Sequence, residues 1–157
     1  MAIYMDYNGI KGDVEETGHK NWIELTTFRW GFGRNVSLQV GSGADREPSL
    51  PGFDAISVGK PNDCASGKLM QEALTGKGKP VRIHWTRTSA SVAAVYLKLV
   101  LNNAIISGYD QGGGDRPDEK LEISYTAFDF ETTEMANDGG DGQPGHVVYN
   151  LAGAQPG

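Results

Sequence analysis

The chain has 157 residues, of which 38% are hydrophobic and 22% are charged, and this length is typical of one domain with an ordinary core. Its 20 acidic side chains outnumber the 14 basic ones, and the formal net charge of −6 argues against binding to phosphate backbones or anionic membranes. A single cysteine excludes an internal disulfide, and no apolar run approaches the ~20 residues of a membrane-spanning helix. The 22 glycines and 7 prolines predict many turns between short strands.

Strand patterns dominate from the N-terminus. A short aromatic strand is predicted over residues 4–7 and a longer one over 22–30, where the apolar positions change from odd to even numbers. Because side chains alternate between the two faces of a strand, this change of parity requires an extra residue, so we predict a bend at Thr26-Thr27. The strand predicted over 121–131 changes parity in the same way, which predicts a second bend near Thr126-Ala127.

Between these two strands the chain is first irregular and then helical. A short strand is predicted over 36–40, and residues 41–52 form a long loop of a length that is usually functional or disordered. A helix is predicted at about residues 62–75, because Asn62 or Asp63 can cap its start and apolar residues then recur every four positions. Gly76 follows in the usual place for a helix end.

Further strands are predicted over 80–88, 92–106 and 147–151. Seven to nine strands with one helix predict a mainly β fold: a bent antiparallel β-barrel of two packed sheets, with one short α-helix inserted at about residues 62–75. We expect a single β-barrel domain over residues 1–152 and a flexible C-terminal tail over 153–157.

No group of residues predicts catalysis or the binding of a cofactor or metal. The chain has three histidines, His19, His84 and His146. None has metal-ligand spacing to another, and we expect them beside turns or on a polar strand face. Cys64 falls in the first predicted helical turn, where a thiol pKa is lowered, but burial as a small apolar residue is the better expectation. The acidic, glycine-rich segments at 110–118 and 138–141 match no calcium loop, and we expect solvated turns.

Basic residues gather near the end of the predicted helix and along the next strand. They are Lys77, Lys79, Arg82, His84 and Arg87. Such a patch suits an acidic partner or a neighbouring subunit, but a polar face is also the default for one side of an antiparallel strand, and that interpretation is preferred.

Several segments share an order and spacing with one known family. The opening segments are Asn8-Gly9-Ile10-Lys11-Gly12, Gly18-His19-Lys20-Asn21-Trp22-Ile23-Glu24-Leu25 and Phe28-Arg29-Trp30-Gly31. The predicted helix, the glycine-rich turn at 111–114 and the strand at 121–129 follow in matching positions. Over about residues 1–151 the chain resembles the Hcp family, the hemolysin-coregulated, tube-forming proteins of type VI secretion.

The resemblance implies a structural subunit rather than an enzyme. It implies hexameric rings that stack into a hollow inner tube, which a contractile sheath expels and whose lumen carries and chaperones effector proteins. The implied partners are further copies of the chain, effectors, and the sheath and tip-spike proteins, with no nucleic acid, membrane insertion or cofactor. Residues 1–6 do not begin a signal peptide, so we expect cytoplasmic assembly followed by secretion or injection out of the cell.

Three groups of residues become candidates within this resemblance. Thr27 and Arg29, on the non-core face of a bent strand, are candidates for the lumen wall that contacts cargo. The candidates for the ring-stacking loop are Asp45, Arg46 and Glu47. A ring also needs complementary flanks on each protomer. The candidates for protomer–protomer contacts are Glu15, Glu16, Lys77 and Arg82.

One alternative stays open from the residues themselves. A small-ligand or carbohydrate-binding β-sandwich module, acting as a monomer, could use an exposed aromatic ring such as that of Trp22 or Tyr109. A hydrolase is disfavoured, because the sequence has no nucleophile–base signature. Ring formation would separate the tube subunit from both.

Overall fold

A computed structural model of the chain describes residues 1–36, 49–89, 92–135, 141–153 and 155–156. The α-helix of this described part, α1, runs from Ser66 to Thr75, and a 3-10 turn covers Thr17–His19. The strands are β1 Ala2–Tyr7, β2 Ile23–Leu25, β3 Thr27–Arg29, β4 Phe32–Gly33, β5 Gly52–Phe53, β6 Ile56–Pro61, β7 Lys79–Ser89, β8 Val92–Gly112, β9 Asp118–Ser124, β10 Ala127–Met135, β11 Asp141–Asn150 and β12 Gln155–Pro156.

Ten of the strands form two antiparallel sheets that share the long strand β8, and β4 and β5 pair with each other in a separate two-stranded sheet. Sheet A has the order β12-β11-β10-β8-β7-β1-β2, and sheet B has the order β3-β6-β9-β8. The first part of β8 pairs with β7 and β10, and its last part, residues 105–112, pairs with β9. Because β2 continues into β3, the strand pairs close into a barrel. The predicted bent antiparallel β-barrel with one short helix is confirmed.

Two bent strands carry the chain from one sheet to the other. The first bends at Thr26, between β2 and β3, where the Thr26 N–H donates to the carbonyl of Gly59 at 2.8 Å. The second bends at residues 125–126, between β9 and β10, where the Thr126 N–H donates to the carbonyl of Asn102 at 3.2 Å. Both bends lie where the change of parity in the apolar positions predicted them. At each bend the extra residue turns the following apolar side chains back toward the barrel interior.

The helix begins four residues later than predicted. A turn precedes it, in which the Asp63 carboxylate accepts from the Ala65 N–H at 2.9 Å and the Ser66 hydroxyl accepts from the Asp63 N–H at 3.0 Å. These bonds satisfy backbone donors in a turn, which is why residues 62–65 do not join the helix. The helix ends at Thr75, directly before Gly76, and buries Leu69 against the barrel.

The barrel interior is filled by apolar side chains from both sheets. Burial of each contributes roughly 1.5–3 kcal/mol. The largest completely buried ones are Tyr7, Met5, Ile23, Ile56, Leu69, Ile83, Leu99, Leu101, Leu121 and Ile123. This continuous core fixes which faces of the sheets point outward, and those outward faces carry the polar residues.

Of the remaining predicted elements, the structure describes the C-terminal strand and part of the tail. The strand predicted over 147–151 is the longer β11, and the segment predicted as a tail includes β12, whose Gln155 pairs with Asn150. Apart from Val36, the strand predicted over 36–40 lies outside the described residues, as does most of the loop predicted over 41–52. Among the described helical residues, no helix is long and apolar enough to cross a membrane.

Candidate functional site

The outward face of sheet B is a flat polar surface made by two cross-strand rows. In one row Thr27 pairs with Gly59, which pairs with Lys120, which pairs with Asp110. In the other row Arg29 pairs with Ser57, which pairs with Glu122, which pairs with Gly108. We call these eight residues the sheet B outer face. Their strand neighbours Phe28, Val58 and Leu121 point the other way, into the core.

The predicted lumen residues Thr27 and Arg29 therefore share one surface. A Cβ on Gly59 would come within 2.3 Å of the Thr27 hydroxyl, so a glycine there lets the two strands lie flat together. Arg29 borders a shallow depression of about 470 Å³ that is also lined by Asp54, Lys120 and Glu122.

The charges of this surface remain open to solvent or to a partner. Arg29, Lys120 and Glu122 are exposed, and within the part of the chain that the structure describes no ion pair of 4.0 Å or less involves them. The surface can therefore make weak charge and hydrogen-bond contacts to another protein, of the kind worth at most about 1 kcal/mol each.

The four predicted protomer-contact residues differ in their surroundings. Glu15 and Lys77 are exposed. Arg82, in contrast, binds Asp6 at 2.5 Å and lies 5.0 Å above the ring of Trp22. Glu16 is likewise engaged within the chain, because its carboxylate is hydrogen-bonded to His19. Two of the four side chains thus stabilise their own subunit.

A chain of hydrogen bonds joins Glu16, His19 and His84 on the outward face of sheet A, and we call it the histidine chain. The Glu16 carboxylate lies 2.5 Å from Nδ1 of His19, and Nε2 of His19 lies 2.9 Å from Nδ1 of His84. His19 lies in the turn at Thr17–His19, where a position beside a turn was predicted, and it is only 4% exposed. Trp22 packs against both imidazole rings, with ring centroids 4.8 Å from that of His19 and 4.7 Å from that of His84.

The surroundings of the histidine chain shift two of its pKa values. Burial, followed by the charges of His19, Lys98 and Arg82, lowers the pKa of His84 to about 4. The hydrogen bond from His19, helped by the N–H of Gly18, lowers the pKa of the Glu16 carboxyl. Near neutral pH the histidine chain therefore contains an ionised Glu16 carboxylate and a neutral His84.

A second polar group, the buried cluster, lies inside the barrel beneath the start of α1. It consists of Lys60, Asp63, Ser66, Tyr109 and Glu119. Lys60 and Glu119 are cross-strand partners with 0% and 2% of their surface exposed, and they form an ion pair. The Ser66 hydroxyl donates to Glu119 at 2.7 Å, the Tyr109 hydroxyl donates to the same carboxylate, and Lys60 also binds Asp63 at 2.9 Å.

The buried cluster is chemically closed. Burial acts to raise the pKa of Glu119, but the hydrogen bonds from Lys60, Tyr109 and Ser66 together lower it. Burial and the bond to Glu119 raise the pKa of Tyr109. Every member has a partner, so the cluster fastens the helix to sheet B rather than offering a reactive group.

The structure corrects the prediction for Cys64. Its side chain is exposed rather than buried, because the residue lies in the turn before α1. A hydrogen bond to Asp13, together with burial and nearby acidic charge, raises the pKa of the thiol. The thiol is therefore exposed but predominantly protonated at neutral pH, which disfavours nucleophilic reactivity.

The remaining predicted residues are the stacking candidates, His146 and the two aromatic rings, and each has its own outcome. The stacking candidates Asp45, Arg46 and Glu47 lie outside the described residues. Across the described ranges there is no group of three side chains placed to hold a metal ion. His146 binds Asp129 at 2.5 Å on the exposed surface of sheet A. Trp22 and Tyr109, the rings considered for carbohydrate binding, are engaged by the histidine chain and by Glu119.

Sequence reasoning missed both polar groups for the same reason. His19 and His84 are 65 positions apart, and Lys60 and Glu119 are 59 apart, so only the barrel brings them together. A weak signal existed for the second pair, since Lys60 and Glu119 fall on otherwise apolar strand faces.

Comparisons with known proteins agree on one family. The sequence model described as "Type VI secretion system effector, Hcp" matches residues 4–131. The fold matches a solved structure described as a type six secretion system protein, with 23% identity, 99% coverage of both chains and a TM-score of 0.89. It also matches Hcp1 from Salmonella typhimurium, with 19% identity, coverage of 99% of this chain and 97% of that one, and a TM-score of 0.79.

A third solved structure extends the similarity. It is a type VI secretion system effector from Yersinia pestis, with 20% identity, coverage of 94% of this chain and 98% of that one, and a TM-score of 0.70. No curated protein matches the sequence. At these identities the structural matches establish the fold, while the sequence model, which spans most of the chain, establishes the family.

Proposed function

This chain belongs to the Hcp family of type VI secretion proteins, and we propose that it is the structural subunit of the inner tube. Six copies form a ring, rings stack into a hollow tube, and a contractile sheath expels the tube from the cell with effector proteins in its lumen. Its partners are then its own copies, the effectors, and the sheath and tip-spike proteins.

The observation that carries the proposal is the sheet B outer face. A tube lumen holds water before it is loaded, so its wall must be polar and stable in contact with water. The side chains of Thr27, Arg29, Lys120 and Glu122 give such a wall, on the side of the sheet that faces away from the core. Exposed charges of both signs bind another protein weakly and reversibly, as a carrier that must also release its cargo requires.

Ring contacts and stacking form the remaining parts of the proposal. Glu15 and Lys77 are exposed and of opposite charge, which suits contacts between the two flanks of neighbouring protomers. Asp45, Arg46 and Glu47 are proposed to join stacked rings, and unchanged tube formation in the Arg46→Ala/Glu47→Ala variant would refute that part.

The first test is the mass in solution, measured by size exclusion with light scattering. Six copies of the 16.9-kDa chain give about 101 kDa, and we expect a peak at that mass with six-fold rings in negative-stain images. A clean monomer at high concentration would contradict the proposal and would favour a monomeric binding module.

The second test addresses the lumen wall. In an Arg29→Ala variant co-expressed with an effector, we expect rings of normal mass that retain less effector on purification. Lys20→Ala is the matched control, because Lys20 is exposed but lies outside sheet B. Equal effector retention in the two variants would contradict the role of Arg29.

A further inference from the structure

The segment of residues 11–22 lies across the outward face of sheet A and is held there by side-chain contacts, which centre on His19 and Trp22. Its backbone is bonded internally, from the Gly12 N–H to Asn21 at 2.7 Å and from the Asn21 N–H to Val14 at 2.8 Å. Its hydrogen bond to a side chain of β7 is the 2.9 Å bond between His19 and His84, and Glu16 holds the His19 ring in place. The ring of Trp22 adds packing contacts with His84 and Arg82 of the same strand. The histidine chain therefore joins this segment to the barrel.

The number of protons in the histidine chain is limited by its geometry. The facing nitrogens of His19 and His84 share one hydrogen bond, so one of them must donate and the other must accept. That bond holds when one ring is neutral, whichever ring it is. If both rings carry two protons, two N–H groups face each other 2.9 Å apart, and two positive charges lie side by side in a largely buried site.

The surrounding charges make the second proton still less favourable. Two cations act on His84, from Arg82 on its own strand and from Lys98, its cross-strand partner on β8. Asp6 on β1 opposes them, but it is itself bound to Arg82. The other titratable groups around the two rings are Glu16 on the same segment and Tyr4 on β1.

We propose that the histidine chain is an acid-sensitive latch, which holds residues 11–22 on sheet A at neutral pH and releases them when both imidazoles become protonated. The device belongs to the single subunit and does not depend on ring formation. Acid acts on the bond between the two rings, while the barrel core and the buried cluster stay intact. The low pKa of His84, about 4, agrees with this direction.

The test is hydrogen–deuterium exchange of residues 11–22, read by mass spectrometry at about pH 7.5 and about pH 4.5, with labelling times scaled to the intrinsic rates. We expect protection of this segment to fall at least about tenfold at the lower pH, while the strands β6 and β9 keep theirs. An unchanged ratio between the segment and those strands would overturn the proposal.

Two variants separate the latch from general acid sensitivity. An asparagine at position 84 can still donate to His19 but cannot gain a proton, so His84→Asn should keep residues 11–22 protected at both pH values. His146→Gln is the matched control, because His146 is exposed and paired with Asp129 elsewhere on sheet A, and it should behave as wild type. Acid-induced release that is equally large in His84→Asn would refute the role of His84.

One measurement keeps the proposal falsifiable if His84→Asn folds poorly. The pKa of each of the three histidines can be read from its ring resonances in the wild-type protein. The latch requires that His84 gains its proton in the same pH range in which residues 11–22 lose protection. Release that occurs while both rings remain unchanged would overturn the proposal.

Discussion

The buried cluster and the histidine chain are both networks of hydrogen-bonded polar side chains, but the charges of the bonded partners differ. In the buried cluster a lysine faces a glutamate, and every donor meets an acceptor of opposite or neutral character. In the histidine chain a single proton between two imidazoles decides whether the contact is attractive, and Arg82 and Lys98 stand nearby. The first is therefore a permanent fastening, and the second responds to pH in the range where histidine titrates.

The difference teaches that burial alone does not make a polar contact permanent. Lys60 and His19 are both almost completely buried, yet the partner of Lys60 is a charge of opposite sign, whereas one partner of His19 is a second base. Variants that remove a partner should thus be most costly inside the barrel, whereas mild acid should act first on the histidine chain.

The largest effect is expected from Lys60→Met. It leaves the Glu119 carboxylate buried without its cation, which typically costs about 3–5 kcal/mol. Chemical denaturation of the variant should show this loss of unfolding free energy. In the Lys60→Met/Glu119→Gln double variant no buried charge is left on residue 119, and the amide oxygen can still accept from one of the two hydroxyls, Ser66 or Tyr109, so part of the loss should return.

Lys120→Met is the matched control for that experiment. Lys120 is next to Glu119 in sequence but is exposed on the sheet B outer face, so its replacement should change the unfolding free energy by less than about 0.5 kcal/mol. Equal losses in the Lys60 and Lys120 variants would show that the buried cluster does not fasten the fold.

The second largest effect is expected from Gly12→Ala, which strains the latched segment at every pH. A Cβ on Gly12 would lie 2.3 Å from the carbonyl oxygen of Trp22 and 2.8 Å from the Cα of Ile23, so backbone must move. We expect a loss of about 1–3 kcal/mol in thermal or chemical unfolding. Gly67→Ala is the control, because a Cβ there meets nothing within 4 Å and alanine favours the helix.

The two strand bends and the start of α1 show how far the sequence predicts the fold. The bends at residues 26 and 125–126 were predictable, because a change of parity is a local pattern that only an extra residue can satisfy. The start of α1 was not, since Asp63 and Ser66 bond each other's backbone and hold a turn where the pattern alone favours a helix.

The candidate site was predictable in part for a similar reason. The outward position of Thr27 and Arg29 follows from alternation along one strand. The histidine chain and the buried cluster instead depend on strand register between distant segments. A sequence shows that His84 lies on a polar face, but it does not show that the face is covered by residues 11–22.

The next prediction concerns pH. In the unfolded chain the pKa of a histidine is near 6.5, whereas the fold lowers the pKa of His84 to about 4. Between these two pH values the unfolded state therefore binds a proton at His84 that the folded state does not bind. The stability contributed by neutral His84 is thus present above pH 6.5 and is lost progressively toward pH 4. Because the ring is partly exposed to solvent, we expect a loss of about 1–2 kcal/mol over that range. Denaturation of wild type and His84→Asn at several pH values would measure it, and parallel curves would contradict it.

The smallest effect on stability is expected from Arg82→Ala. This variant also tests most directly whether the charges around the histidine chain set its response to pH. Arg82 is about half exposed, with a relative side-chain exposure of 53%, so losing its bond to Asp6 and its contact with Trp22 should cost no more than about 1 kcal/mol at neutral pH. The same change removes a cation that disfavours protonation of His84 and frees Asp6, which favours it. The pKa of His84 should therefore rise. Arg87→Ala, on the same strand, should leave that pKa unchanged. A His84 pKa that stays constant in Arg82→Ala would mean that burial alone, and not the surrounding charge, sets the response of the histidine chain to acid.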